Sequence, residues 1–388
     1  MKNLLMMIYA IIFTCIILVP KPNNAQDIPA GTGEKAGGVK SLENRIKQLE
    51  EAIGRKPESE KWYDRIQIRG LVEVEANQVN TDFKTPATKD TSESDVDLAT
   101  VELVVDAKIH QHVDGHVMFK WEADTLFVDE GFITVVGTEQ VPAYLIAGRQ
   151  YIPFGNFESH FITDPLTLDL GETNEGAAVA GYRFGSDTYD ISVGAFNGKA
   201  PKANSDSTIA NIVASFAGAP VKWLTFGASY TSNLAAADGL NDNLTRDFDT
   251  DGTNDVQRYV GGWSAFATAA FMKFKLIAEY VSALDEFAVG EVFDANGTDT
   301  RKKKPSAWNF ELSYAINEAW EVAGRYETSS DTDEDVGRGN GFAETRWGAV
   351  VNWGFFDSTN LALEYLRSSY KDDFKTVDAF TAQLAIQF

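Results

Sequence analysis

Hydrophobic and polar residues alternate along the last stretch of the chain, Asp378 to Phe388. Phe380, Leu384 and Phe388 share one face of an extended strand there, and Gln383 lies on the other face. One apolar face and one polar face fit a transmembrane strand with lipid outside and water inside. The same pattern also fits a half-buried edge strand of a soluble sandwich, so the other segments decide between the two.

Alternation recurs from residue 62 onward and favours a barrel. In the first strand, Ile68 and Val72 point to one face and Arg69 and Glu73 to the other, and later segments repeat this arrangement. A sandwich also alternates, but it does not usually carry charges of both signs on the second face of so many strands. Aromatic residues cluster near strand ends, as in the interfacial girdles of membrane barrels. These residues are Trp62, Tyr63, Tyr151, Tyr182, Trp223, Tyr230, Tyr259, Tyr280, Tyr314, Trp320, Tyr326, Trp353 and Tyr365.

The alternating segments number about sixteen, which is the size of a water-filled barrel. The connections between them are alternately short and long, as periplasmic turns and extracellular loops are. The predicted fold is therefore all-β: a transmembrane antiparallel β-barrel over residues 62–388, preceded by a short N-terminal coiled-coil helix, with both termini in the periplasm. The predicted strands are 63–77, 97–109, 113–123, 129–136, 142–150, 176–185, 188–196, 207–217, 222–232, 256–271, 273–283, 306–315, 319–329, 343–354, 360–370 and 378–388.

Residues 1–25 have the composition of a secretory signal peptide. Lys2 precedes an apolar run from Leu4 to Val19, and the small residue Ala25 marks the predicted cleavage site. The alternative is an N-terminal membrane anchor, but the run is short for a spanning helix and prolines follow it. Cys15 is the single cysteine, so the mature chain is predicted to have neither a disulfide nor a thiolate metal site.

A short helical stem is predicted over residues 41–56, after a linker at 26–40. Its apolar residues are spaced four, three and four positions apart, as in a coiled-coil seam. The alternative is an isolated amphipathic helix packed on the barrel. The seam is too short to stand alone in water, and although its residue types favour two strands, barrels of this size are commonly trimers, so we predict a homotrimer. The seam residues are Leu42, Ile46, Leu49 and Ile53.

The net charge of −23 argues against a nucleic-acid partner. Much of this charge lies in segments rich in turn residues, such as Asp238 to Asp255, which are predicted to be solvated loops. The sequence has four histidines and no G-x-S-x-G motif, so we predict no enzymatic activity. His110, His112 and His116 are close in sequence, but the predicted turn spreads them too far apart for a metal site.

The connection at 151–175 is too apolar for a surface loop, and it is predicted to fold into the barrel and narrow the lumen. Its carboxylates would then face cations of the wall, and a field across the narrowest point would sort solutes by charge and size. The alternative is a loop packed on the wall with no role in selectivity. The candidate carboxylates are Asp164, Asp169, Glu172 and Glu175, and the candidate lumen-facing cations are Arg65, Arg69, Arg149 and Arg183.

A candidate calcium loop lies at Asp247 to Gly252. Asp247, Asp249 and Asp251 occupy alternate positions and Gly252 allows a turn, as in the first half of an EF-hand loop. The twelfth position, where a bidentate Glu belongs, is Arg258. The alternative is a solvated acidic loop, and no other cofactor or metal is predicted.

Three segments resemble the siderophore porins of the LbtU type: Trp62 to Ala76, Asp129-Glu130-Gly131 and, most specifically, the run from Gly148 to Thr173. The resemblance covers most of the mature chain, although the later loops match weakly. It implies passage of a ferric siderophore through the bacterial outer membrane without a TonB-gated plug. The implied partners are the lipid bilayer, lipopolysaccharide and the permeating solute.

Two other functions stay open at this stage. The stretch Gly-Arg-Gln-x-x-Pro-Phe-Gly, which begins at Gly148, also resembles phosphate-selective porins. A general or anion-selective diffusion porin is therefore the first alternative. The second is a structural barrel whose acidic loops bind divalent cations and lipopolysaccharide at the cell surface.

Overall fold

A computed structural model describes residues 62–84, 88–206, 208–294, 297, 299–333, 341–371 and 374–388. The predicted signal peptide, linker and coiled-coil stem (1–25, 26–40 and 41–56) lie outside the described residues. Among the described residues, no helix is long and apolar enough to cross a bilayer.

The described residues form one closed barrel of sixteen antiparallel strands, which confirms the predicted antiparallel barrel. Each strand pairs with its neighbour in sequence, and β1 pairs with β16 to close the barrel. The strands are β1 Ile66–Phe83, β2 Thr91–His110, β3 Val113–Glu122, β4 Thr125–Thr138, β5 Val141–Tyr151, β6 Asn174–Phe184, β7 Tyr189–Phe196, β8 Asn211–Val221, β9 Leu224–Thr231, β10 Gly262–Phe271, β11 Phe274–Ala283, β12 Ser306–Ala315, β13 Trp320–Ser330, β14 Thr345–Phe356, β15 Thr359–Ser369 and β16 Lys375–Gln387.

Alternate side chains of the strands point outward and inward, as closure of a sheet requires. Leu103 and Phe310 are 41% and 47% exposed on the outer surface, whereas Glu102 and Glu311 beside them are buried inside. The apolar residues that the sequence assigned to one face therefore form the outer surface. Two predicted girdle residues lie elsewhere, because the Tyr151 hydroxyl donates to Asp129 and Tyr259 packs against a loop cluster.

Short turns join the strands at one end of the barrel, and most of the long connections lie at the other. We call the long-end connections L3 (152–173), L4 (197–210), L5 (232–261) and L6 (284–305). L3 contains helix α1, Leu166–Gly171, and L5 contains a 3-10 helix, Leu234–Ala236, and helix α2, Asp238–Asn241. A further 3-10 helix, Trp62–Arg65, precedes β1.

The first two strands are longer than predicted. The sequence predicts a long connection at 78–96, but Gln78 pairs with Ser94 and the ladder continues to Thr81 and Thr91. The sequence predicts a loop here because the segment is polar and its side chains do not indicate a buried face. Backbone pairing, and a hydrogen bond of 3.0 Å from Gln78 Nε2 to Ser92 Oγ, hold it as a hairpin instead.

Strand β10 begins later than predicted. The predicted strand starts at residue 256, whereas β10 starts at Gly262. Val256 and Val260 are fully buried in the apolar cluster under L5, and the Val256 N–H donates to the Pro201 carbonyl of L4. These valines therefore pack loops together rather than continue the barrel wall.

Candidate functional site

L3 lies inside the barrel and buries its apolar side chains there. Phe154 and Phe157 join a large cluster that includes Val281 of β11 and residues of L5 and L6. Phe161 and Ile162 form a second cluster against β13, β14 and β15. The many apolar residues of this connection are therefore buried inside the barrel, as predicted for a loop that folds inward.

Carboxylates of the barrel wall hold the first half of L3. Glu279 of β11 accepts hydrogen bonds of 2.8 Å from the backbone N–H groups of both Asn156 and Phe157. Glu311 of β12 accepts one of 2.8 Å from the His160 N–H. Such bonds to ionised acceptors are stronger than bonds between neutral groups, so they fix the path of L3 along this wall.

The tip of L3 is held in the same way by strands further round the barrel. Glu364 of β15 accepts a hydrogen bond of 2.6 Å from the Ile162 N–H. Glu327 of β13 accepts one of 2.7 Å from the Leu166 N–H at the start of α1. The tip of L3 is thus anchored to both β15 and β13 before the chain turns back.

Two arginines of the barrel wall also hold L3, by donating hydrogen bonds to its backbone carbonyl groups. Arg325 of β13 donates a hydrogen bond of 2.6 Å to the Thr163 carbonyl, and Arg346 of β14 donates to the Asp164 carbonyl. Arg325 also forms an ion pair of 2.9 Å with Glu311 and lies 4.3 Å from the centre of the Phe161 ring. These cations bind L3 and wall carboxylates, so they are not free to face the open lumen.

Helix α1 returns L3 to the long-end connections. The Asp238 N–H donates a hydrogen bond of 2.7 Å to the Glu172 carbonyl. Gly239 of α2 lies so close that a Cβ atom there would be 2.1 Å from the Asp169 carbonyl oxygen. L5 therefore supports the returning half of L3 from the long-loop end.

The wall formed by β1 to β4 is acidic. The amine of Lys120 is 2.8 Å from Glu122 and is surrounded by further carboxylates. Neither carboxylate oxygen of Glu73 has a hydrogen-bond partner among the described residues, and the same holds for one oxygen of Glu102. The inward carboxylates of this wall include Glu73, Glu75, Glu102, Asp106, Glu122, Asp129 and Glu130.

A mixed network crosses the same four strands nearer the short-turn end. Arg69 of β1 forms an ion pair with Asp106 of β2. His116 of β3 lies 2.7 Å from Asp106 through Nδ1 and 3.4 Å from Glu130 through Nε2. The single predicted arginine on this wall is therefore already paired.

The four candidate cations have different surroundings in the structure. Arg183 faces inward but pairs with Asp190 at 3.5 Å and lies over the Tyr144 ring. Arg65 ends the 3-10 helix before β1 and is exposed outside the strand. Arg183 thus lines a cavity beside L3 together with Glu172, whereas Arg65 does not lie on a strand of the wall.

Arg149 has the opposite orientation to the one predicted. It pairs with Gly131, which in turn pairs with Val117 on the outer face. Its Nε donates a hydrogen bond of 3.1 Å to the Asp129 carbonyl. A charged residue near a strand end can face outward because its long side chain reaches the polar boundary. The charge of Arg149 alone therefore led to its assignment to the wrong face of the strand.

The predicted carboxylates are all found at or next to L3. Asp164 and Asp169 lie at its tip and in α1, and Glu172 follows α1. Glu175 lies on the inward face of β6, paired with Gln150. The structure therefore brings the acidic half of the predicted site together, but opposite a wall that is itself acidic.

A cavity of about 240 Å³ lies between the start of L3 and strands β4 to β10. Its lining combines aromatic and acidic side chains with a single arginine. Residues that define it are Phe132, Tyr144, Tyr151, Phe154, Glu130 and Arg183. Such a lining fits a small solute with both apolar surface and polar groups.

Sequence reasoning placed Glu279, Glu311, Arg325 and Glu327 on the polar face but missed their role as anchors of L3. The sequence signal for these anchors was the repetition of charged residues at inward positions of successive strands. It could not be read as an anchor, because the partner atoms are backbone groups more than 120 residues away.

No protein-family model matches the chain. It is 26% identical over 264 residues to a UPF0422 protein of Coxiella burnetii, a match that covers 65% of this chain and 54% of that protein. A UPF0422 protein of Legionella pneumophila is 24% identical over 117 residues, covering 27% of this chain and 22% of that protein. The chain thus spans at most about half the length of these relatives.

Solved structures share the barrel. The outer membrane channel DcaP of Acinetobacter baumannii has a TM-score of 0.57 at 13% identity, covering 83% of this chain and 97% of that chain. An anion-selective porin from Comamonas acidovorans also has a TM-score of 0.57, at 12% identity, with 83% and 99% covered. OmpT of Vibrio cholerae has a TM-score of 0.53 at 11% identity, with 83% and 97% covered. At these identities the likeness shows that the chain has the fold of outer-membrane porins.

Proposed function

We propose that this protein is an outer-membrane diffusion channel whose lumen is narrowed by L3. The apolar outer surface of a closed barrel supports insertion in a bilayer, and the short turns at one end support a periplasmic location for both termini. The porin-like fold agrees with this assignment.

The observation that carries the proposal is the anchoring of L3 across the inside of the barrel. Glu279, Glu311 and Glu364 hold its backbone at separate strands, so the loop is a fixed part of the lumen. A fixed loop narrows the passage to a defined size, as constrictions of channels do.

The charge of the passage favours cations. On the inward face of β1 to β4, carboxylates outnumber the cations Arg69 and Lys120. Where bulk water is limited, such charges are weakly screened and their sum sets ion preference. We therefore favour cations and positively charged solutes over the anion-selective alternative.

Passage of a ferric siderophore is the narrower function implied by the resemblance to LbtU-type porins. The aromatic and acidic lining of the cavity beside Phe132 and Tyr144 supports contact with part of a solute that has both apolar surface and polar groups. An acidic lumen would admit a neutral or cationic ferric complex more readily than an anionic one. A surface barrel without transport is the remaining alternative.

Reversal potentials in planar bilayers test this function. The purified protein, placed in a KCl gradient, is expected to conduct with potassium preferred over chloride. Liposome swelling with a neutral and an anionic ferric siderophore then tests the narrower proposal, and we expect faster entry of the neutral complex. A chloride-preferring channel, or a barrel without conductance, would contradict the assignment.

We also propose a homotrimer, since a trimer form is described for OmpT of Vibrio cholerae. Native mass spectrometry in detergent gives the number of subunits. Deletion of residues 27–57, compared with the full chain, shows whether the predicted stem contributes: we expect a folded barrel with weaker oligomers.

A further inference from the structure

Three carboxylates meet in L5 near the extracellular end of the barrel. One oxygen each from Asp247, Asp249 and Asp255 lies within 4.8 Å of the other two. Asp251, predicted as a member of this group, is not part of it, because its Oδ1 accepts a hydrogen bond of 2.8 Å from the Thr253 N–H. The group therefore contains Asp255, which lies outside the alternating motif, in place of the predicted Asp251.

Asp255 is the unusual member of the group. Its residue surface is only 2% exposed, and Oδ1 accepts a hydrogen bond of 3.0 Å from the Phe248 N–H. The other oxygen, Oδ2, is buried and has no hydrogen-bond partner among the described residues. A buried carboxylate oxygen without a partner, placed beside two other carboxylates, is costly unless a cation compensates it.

The neighbouring arginines do not compensate this charge. Arg246 donates to the Val289 carbonyl at 3.0 Å and lies over the Phe248 ring, and Arg258 pairs with Asp285 at 2.7 Å.

The loop backbone orients the two remaining carboxylates. Asp247 accepts hydrogen bonds of 2.6 Å and 2.9 Å from the N–H groups of Thr250 and Gly252. Asp249 accepts one of 2.7 Å from the Asn204 N–H of L4. Each oxygen keeps a second lone pair, so both groups can still coordinate a hard cation, for which carboxylate oxygens are the preferred ligands.

We propose that L5 binds one Ca²⁺ ion through Asp247, Asp249 and Asp255, with water or carbonyl oxygens completing the coordination. The ion neutralises the buried Oδ2 of Asp255. It also fastens L5 to L4, because Asn204 contacts Asp249 and the Val256 N–H donates to the Pro201 carbonyl at 2.9 Å. The occupant is a calcium ion of the extracellular medium rather than a catalytic metal.

Isothermal titration of the full-length protein in detergent, after treatment with EDTA, measures the binding. We expect one site with a dissociation constant of about 10⁻⁴–10⁻³ M for Ca²⁺, as in extracellular modules. Asp255→Asn keeps an acceptor for the Phe248 N–H and should fold, yet it should weaken binding by at least about tenfold, or about 1.4 kcal/mol.

Asp251→Asn is the matched control, because it removes one charge from the same loop without touching the three converging oxygens. It should change affinity by less than about threefold. Heat-modifiable mobility in electrophoresis verifies that each variant is folded, and Ca²⁺ should raise the unfolding temperature of the wild type and of Asp251→Asn only. Absence of binding by the wild type, or equal losses in both variants, would overturn the proposal.

Discussion

The backbones of Gly70 and Phe388 exchange two hydrogen bonds, of 2.8 and 3.1 Å, that extend the β1–β16 seam. The Phe388 ring lies where a side chain at residue 70 would be, since a Cβ atom there would come within 2.2 Å of the ring. Glycine at this position therefore allows the last residue to close the barrel.

Gly70→Ala should destabilise the barrel by up to about 1 kcal/mol, because the exposed Phe388 ring must move away from the added Cβ atom. Unfolding in urea, followed by tryptophan fluorescence, measures the change. Gly324→Ala in β13 is the control: the nearest atom to its added Cβ is 3.9 Å away, so it should be nearly neutral. Similar losses in both variants would show that the ring contact is unimportant.

A charge on the outer surface tests the orientation of the strands. Leu103→Lys should cost about 2–4 kcal/mol if this position lies near the midplane of the bilayer. Gln67→Lys, at an exposed position of the opposite face of β1, should be close to neutral. Folding into lipid vesicles, followed by electrophoretic mobility, reports both. Equal tolerance at the two positions would argue against the assignment of outer and inner faces.

Gln383 is not a suitable wet control, although the sequence predicts one. It is 2% exposed and its Nε2 donates a hydrogen bond of 2.9 Å to Glu75. Parity correctly predicts that it faces inward. Whether an inward position is wet depends on its cross-barrel and cross-strand neighbours, which alternation does not encode.

Local pattern was sufficient for the strands because side chains repeat with a period of two wherever one face is apolar. It failed for Gln78 to Ser94, where most side chains are polar and the hairpin is held by backbone pairing and by the hydrogen bond between Gln78 and Ser92. It also failed for Arg149, whose charge suggested the lumen although the register turns it outward. The site depends on contacts such as Glu279 with Phe157, which join segments 122 residues apart and follow from the path of L3 rather than from local spacing.

Release of L3 should widen the channel. Glu279→Ala removes the acceptor of two backbone N–H groups, and hydrogen bonds to charged acceptors contribute about 1.5–3 kcal/mol each. We expect higher single-channel conductance and more frequent current fluctuations, because the first half of L3 loses its anchor. Glu318→Ala, in an exposed turn at the opposite end, is the control and should leave conductance as in the wild type. Unchanged conductance in a folded Glu279→Ala protein would show that this anchor does not position the constriction.

The acidic wall should set ion preference. Replacing Glu75 and Glu122 by Gln removes two carboxylates from the inward face of β1 and β3 while keeping the side-chain volume, so the reversal potential in a KCl gradient should shift towards chloride. Arg149→Gln, on the outer face, should leave the potential unchanged, whereas a lumen-facing arginine there would shift it towards potassium. A shift with Arg149→Gln but none with the double variant would reverse the assignment of the selective wall. It would restore the cationic wall that the sequence predicted opposite L3.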